Sequence, residues 1–261
     1  MQSSGKLRLL IMLAFIGFSV ISYFFKSQVN PVTGEKQRVD LTPQEEVAMG
    51  LQSAPEMAAQ FGGLYPDENV QLKVQAIGQK LVNGTEAKNS PYEFHFHVLA
   101  DPETINAFAL PGGQIFITMG LLKRLQNEDQ LAGVLGHEMG HVINRHSSEQ
   151  MAKQGLMNGI VQGVAMGSGD MNTAQIASYV SNVIGLKYGR DDELESDKFG
   201  IKYMYQTGYQ PEQMLGVMEI LKQASGGGNQ DDFMSTHPSP ENREIKIKEE
   251  IAQLKSKSLT Q

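Results

Sequence analysis

Two histidines four residues apart with a glutamate between them, His137-Glu138-Met139-Gly140-His141, can build most of a hydrolytic metal site from one helix. Positions i and i+4 share a helical face, so His137 and His141 aim two imidazoles at one point. Glu138 stands beside that face, within reach of a water held by the metal. Zinc brings the pKa of such a water from about 15.7 to about 7, where a carboxylate can take its proton. A catalytic zinc wants a third protein donor and an open position. Downstream, Glu193-Leu194-Glu195-Ser196-Asp197 supplies candidates. Glu193 and Asp197 are again four apart. One can bind metal while the other accepts a hydrogen bond from a ligand imidazole, which fixes that ring's tautomer.

These two motifs together resemble the gluzincin metallopeptidases of the HtpX and CAAX-prenyl-protease family, whose pattern is His-Glu-x-x-His followed by Glu-x-x-x-Asp. The resemblance implies zinc on His137, His141 and Glu193, with Glu138 as the catalytic base and Asp197 orienting a zinc histidine, His137. Glu195 is the alternative third ligand, but it projects roughly 200° around the helix from Glu193. The run Asn106 to Ile117 is similar to the strand-turn-strand that precedes the family's active-site helix. That likeness implies that Asn106 and Ala107 hold an extended substrate by main-chain pairing, a mode tolerant of sequence. Thr236-His237-Pro238 to Arg243 resembles a late His-Pro motif. It implies an active-site role for His237, either donating to the oxyanion or filling the open zinc position at rest. Arg243 is read either as a partner of an acid near the zinc or as a surface residue.

The elements that must position these residues are legible in pattern. Asn127 is a helix N-cap with Glu128 and Asp129 in the first turn, and Leu131, Val134, Leu135, Val142 and Ile143 recur at helical spacing. Gly133, Gly136 and Gly140 form a smooth stripe on that helix. Each lowers helix stability by roughly 1 kcal/mol against alanine, so the stripe implies close approach of another backbone. Further helices are expected over 43–60, 67–83, 191–205, 211–224 and 240–254, the last after a Gly-rich loop at 226–230 read as mobile. Pro111-Gly112 marks a turn, and Gln114 to Thr118 alternates as a half-buried strand does. His95 and His97 share a strand face and read as exposed; His146 reads as structural. The fold class is α+β: a mostly helical gluzincin-like domain with a small mixed sheet.

Composition bounds the rest. The 261 residues carry a net charge of -7 and no cysteine, which excludes disulfides and cysteine-ligated zinc. No phosphate-binding loop or basic patch points to nucleotide or nucleic acid, and nothing in the chain sets an oligomeric state. Leu9 to Phe25 is an uncharged apolar run, long enough to span a bilayer at the lower limit. Lys6 and Arg8 before it favour a cytoplasmic N-terminus at 1–8 and an exported catalytic domain, on the periplasmic face of the inner membrane in a cell with two membranes. A cleaved signal sequence and secretion is the alternative. Residues 26–42 read as an extended tether and 43–261 as the metallopeptidase domain. Between the motifs, 151–186 reads as a soluble helical hairpin, interrupted by Lys153, Gln154, Asn158 and Gln162, with a membrane-dipping hairpin as the alternative. The function expected is zinc-dependent endopeptidase action on unfolded or damaged proteins in envelope quality control. A chaperone-like peptide-binding module with latent proteolysis is the alternative.

Overall fold

The N-terminal apolar run folds as α1 (Ser3–Phe25) in the computed structural model, which describes residues 3–168, 188–224, 233, 237–238 and 242–258. Its stretch Gly5–Phe25 is long and apolar enough to cross a membrane. Many of its large apolar side chains are exposed, Phe18 and Phe25 being 73% and 84% exposed.

Two units divide the chain, and α1 belongs to the one made from Met1–Asn30, Gly34–Leu41 and Ser148–Lys187. The stretch read as an extended tether contains an antiparallel pair instead, β1 (Ser27–Val29) and β2 (Lys36–Arg38), with Gln28 opposite Gln37. Asn30 Nδ2 donates to Gln37 Oε1 at 2.9 Å, so polar side chains internal to the loop reinforce the turn. The same unit holds most of α6 (His146–Ser168), which has glycines at 155, 159 and 163. A side chain at Gly159 would collide with Ser19 of α1, and one at Gly163 would lie 3.0 Å from Ile16 Cγ1. The remainder of the 151–186 segment and the 226–230 loop lie outside the described residues.

The second unit carries the site. Its first helix, α2 (Pro43–Gln60), starts with a capping box in which Thr42 and Glu45 satisfy each other's backbone N–H. Next come α3 (Glu68–Asn83), capped by Asp67, and a three-stranded mixed sheet. In that sheet β5 (Gln114–Thr118) lies between β3 (His95–Leu99), parallel to it, and β4 (Ala107–Ala109), antiparallel. Both of its faces are covered, so β5 is buried along its whole length rather than on one face. Ile115 and Ile117 enter the main core, while Phe116 joins Leu99 in a smaller cluster with Phe61 and Phe108 against it. His95 and His97 are half-buried, not exposed, because His97 stacks on Phe116 and bonds Gln114 Oε1 at 3.0 Å.

After the short α4 (Met119–Leu122) comes α5 (Glu128–Ile143), and Asn127 caps it by accepting from the Gln130 N–H at 2.9 Å. It packs along α7 (Arg190–Gln206), and the glycine stripe is the seam between them. A Cβ at Gly136 would lie 3.1 Å from Gly200 Cα, and one at Gly140 2.8 Å from Ser196 Cα. The helices α8 (Gln213–Ala224) and α9 (Arg243–Ser258) complete the unit; Met214, Val217 and Ile247 are buried in the core.

Candidate metal centre

One turn of α5 presents His137 and His141, and the facing turn of α7 presents Glu193 and Asp197, so the seam of glycines brings both motifs together. The two imidazole Nε2 atoms are 3.1 Å apart. Glu193 Oε2 lies 3.4 Å from His137 Nε2, and its Oε1 lies 3.4 Å from His141 Nε2. His237 completes the group: its Nδ1 is 2.9 Å from Glu193 Oε1. One donor atom from each of these four buried residues lies within 4.8 Å of all the others. Glu138 is fully buried beside them, and neither carboxylate oxygen has a hydrogen-bond partner among the described residues. Burial pushes its carboxyl pKa up, against the pull of His237 and His137.

The surrounding hydrogen bonds fix which nitrogen of each ring carries a proton. Asp197 Oδ1 lies 2.9 Å from His137 Nδ1, and a carboxylate can only accept, so Nδ1 donates and Nε2 is the nitrogen that faces the group. Asp197 is itself gripped by Arg243, whose Nε and Nη2 donate to its two oxygens at 2.7 and 2.8 Å. Against its burial, the Arg243 charge and the bond from His137 hold the Asp197 carboxyl below the usual range. On the other ring, Glu195 Oε2 accepts from His146 Nε2 at 3.0 Å. His146 Nδ1 then accepts from His141 Nδ1 at 2.9 Å, which leaves a lone pair on Nε2. The two Nε2 atoms face each other at 3.1 Å beside a carboxylate, an arrangement that needs a cation, a proton or a metal ion, among them. The donor set, two imidazole nitrogens and one carboxylate with a further imidazole in reach, suits zinc.

Three members of this site were not legible in sequence. Projecting α5 onward places His146 away from His141, but the helix ends at Ile143 and Arg145 adopts φ 59° before α6 begins. That break turns His146 back onto His141. Arg145 is held by Glu46 of α2, whose Oε1 accepts from Arg145 Nε at 3.0 Å, both side chains buried. Tyr188 stacks on the His141 ring at 4.0 Å with its hydroxyl 2.9 Å from Ser147 Oγ. Glu195, the alternative ligand, serves His146 instead. Asn106 and Ala107 are both buried at the start of the edge strand β4, where the Asn106 N–H donates to Thr118 Oγ1 at 3.1 Å.

Fold and site together define a metallopeptidase. The chain belongs to Peptidase family M48, whose sequence pattern matches residues 68–251. It is 30% identical over 251 residues to a mitochondrial metalloendopeptidase OMA1 of Schizosaccharomyces pombe, covering 95% of this chain and 73% of that protein. It is 31% identical over 180 residues to the beta-barrel assembly-enhancing protease of Escherichia coli, covering 65% of this chain but only 36% of that one. Metalloprotease YcaL of Escherichia coli is 30% identical over 181 residues, or 68% and 67% of the two chains. The family implies a metal, and His137, His141, Glu193 and His237 form a group able to hold one.

Proposed function

We propose that this protein is a membrane-anchored, zinc-dependent endopeptidase that cleaves unfolded or damaged proteins on the exported side of its membrane. The observation that carries the reading is the convergence of His137, His141 and Glu193 on one point beside a buried Glu138 that makes no hydrogen bond among the described residues and has His237 Nε2 at 3.8 Å. In this reading those three residues bind zinc, and Asp197 and His146 set the ring protons that free their nitrogens. Zinc bound there would supply a Lewis acid to polarise the scissile carbonyl and acidify the attacking water. Glu138 takes the proton from that water and passes it to the leaving amine. Asn106 and Ala107 lie at the outer strand of the sheet, the place where an extended substrate would add as a further strand.

The anchor rests on the exposed apolar face of α1, and the orientation on Lys6 and Arg8 at its start. A relative named for enhancing β-barrel assembly supports a role in envelope quality control.

A latent state is favoured by one further observation. His237 lies against Glu193 within the donor group, stacked on Phe233 at 4.1 Å. The Phe233 N–H donates to the Ile105 carbonyl at 2.9 Å, next to the proposed substrate edge. In this arrangement His237 fills the position a substrate carbonyl needs.

The test is cleavage of casein by the full chain in detergent with zinc, beside Glu138→Gln and a chelated sample. Cleavage by wild type alone, restored by zinc after chelation, is expected. Stoichiometric zinc with no cleavage in any sample, His237→Ala included, would replace the protease reading with a binding module.

A further inference from the structure

The foot of the apolar helix holds a charged cavity that peptide hydrolysis does not use. It has a volume of about 260 Å³ and is lined by Tyr23, Phe24, Ser27, Lys36, Arg38, Glu149 and Lys153. All seven residues belong to one unit of the chain. Three cations face one acid. Glu149 is shared with Lys153 at 3.9 Å, one helical turn away. The Arg38 guanidinium lies over the Phe24 ring at 4.8 Å and the Tyr23 ring at 5.6 Å. Nearby, Lys26 is neutralised by Asp40 at 2.9 Å and adds no net charge.

The level of this cavity along the two helices is what identifies its ligand. In α1 the uncharged run ends at Phe25, two residues beyond Tyr23. In α6 charge stops at Lys153, and no Asp, Glu, Lys or Arg follows before residue 169. The uncharged parts of the two helices lie against each other through Gly159 on Ser19 and Gly163 on Ile16. Small residues at such a seam are how helices pack within a bilayer, where close backbone approach replaces the hydrophobic drive. Both helices therefore pass from uncharged to charged at this cavity, α6 carrying Gln154, Asn158 and Gln162 in its uncharged part, and Tyr23 and Phe24 stand at the end of α1 where aromatic residues meet headgroups. Lys36 and Arg38 arrive at that height from the hairpin, and Lys153 from the first turns of α6.

We propose that this cavity seats the headgroup phosphate of an anionic phospholipid, with α6 entering the bilayer beside α1. Lys36, Arg38 and Lys153 converge on the phosphodiester, Ser27 adds a hydroxyl donor, and Phe24 and Tyr23 flank the glycerol and the first methylenes. The helix that follows the HExxH helix is then held at the membrane surface by lipid. The proposal rests on the reading of α1 as a membrane anchor.

The experiment uses the full chain purified in a neutral detergent. Retention of phosphatidylglycerol is compared with that of phosphatidylcholine by native mass spectrometry, for wild type and for the triple variant Lys36→Gln/Arg38→Gln/Lys153→Gln. Flotation of the same proteins with phosphatidylcholine vesicles tests the anchor separately. Wild type is expected to float, to retain phosphatidylglycerol in preference to phosphatidylcholine, and to lose that preference in the triple variant, by roughly fivefold for each charge removed. Casein cleavage by the variant is expected to be unchanged in detergent. Equal retention of the two lipids, an unaltered preference in the variant, or displacement of the lipid by millimolar inorganic phosphate would overturn the headgroup seat. Failure of wild type to float would sink the anchor reading, and this one with it.

Discussion

His146 Nδ1 lies 2.9 Å from His141 Nδ1, and Glu195 stands 3.0 Å behind it on His146 Nε2. The carboxylate at the far end dictates the order of protons along the whole line, so it reaches the proposed metal ligand without touching it. Losing His146 lets His141 turn or take the other tautomer, with a hydrogen where the metal needs a lone pair. His146→Ala is expected to weaken zinc binding about 10–100-fold, measured by competition with a chelating dye. Glu195→Gln is expected to keep most of the affinity, since its amide oxygen can still accept from His146 Nε2. Unchanged affinity in His146→Ala would mean that stacking on Tyr188 suffices to orient the ring.

That relationship also marks where sequence reading stopped. The helices bearing His137, His141, Glu193 and Asp197 were legible because periodicity, an Asn cap and i, i+4 spacing are local properties. The glycine stripe even announced the seam, since three glycines in a helix have no local reason to be there. His146 was missed because a single left-handed residue, Arg145, redirects the chain, and the buried Glu46 that holds it lies 99 positions away. Arg243 was ambiguous for the same reason, its partner Asp197 being 46 positions back. The burial of β5 on both faces follows from a second cluster, Phe61 and Phe108 packing against Phe116 and Leu99, which alternation along one strand cannot reveal.

Arg243 is 1% exposed, forked onto Asp197, with Nη1 3.1 Å from Glu193 Oε2. Without its guanidinium two buried carboxylates lose their nearest permanent cation. Arg243→Ala is expected to destabilise the metal-free protein by about 3–5 kcal/mol in chemical denaturation. Zinc is expected to return part of that loss, because a cation among the donors again compensates Glu193. The same loss with and without zinc would show that Arg243 acts on Asp197 alone.

Gly140→Ala tests the seam by its sign. In an open helix the change would stabilise by roughly 1 kcal/mol. Here the new Cβ would sit 2.8 Å from Ser196 Cα and 3.0 Å from its carbonyl oxygen. The expected result is destabilisation of about 1–3 kcal/mol by overpacking, together with weaker zinc binding as α5 and α7 part. Gly155→Ala, where nothing lies within 4 Å of the added methyl, is the matched control. A stabilised Gly140→Ala protein would mean that the helices tolerate a wider spacing.

Metal removal is expected to lower thermal stability and to do so in proportion to bound zinc. A ligand that binds only the folded state adds about 2.7 kcal/mol at a hundred times its dissociation constant. The melting temperature should therefore rise with free zinc in wild type and stay flat in His137→Ala/His141→Ala. A zinc-dependent rise in that double variant would place the metal elsewhere in the chain.

His237 has two possible roles, and one substitution separates them. Its ring lies in the donor group, pinned by the hydrogen bond from its own N–H to the Phe233 carbonyl at 2.8 Å. Phe233 in turn is tied to Ile105, beside the edge where substrate would pair. A residue so placed occupies the site before substrate does, and the fraction of open molecules then limits the apparent affinity. His237→Ala is expected to raise the casein cleavage rate, with Phe233→Ala moving in the same direction by loosening the turn. The double variant His237→Ala/Glu138→Gln must stay silent, which ties any gain to this site. A fall in kcat of about 10²–10³ instead would assign His237 to the oxyanion, where a lost donor has that effect. The structure favours the first outcome, because the imidazole faces Glu193 among the metal donors, where it competes with substrate.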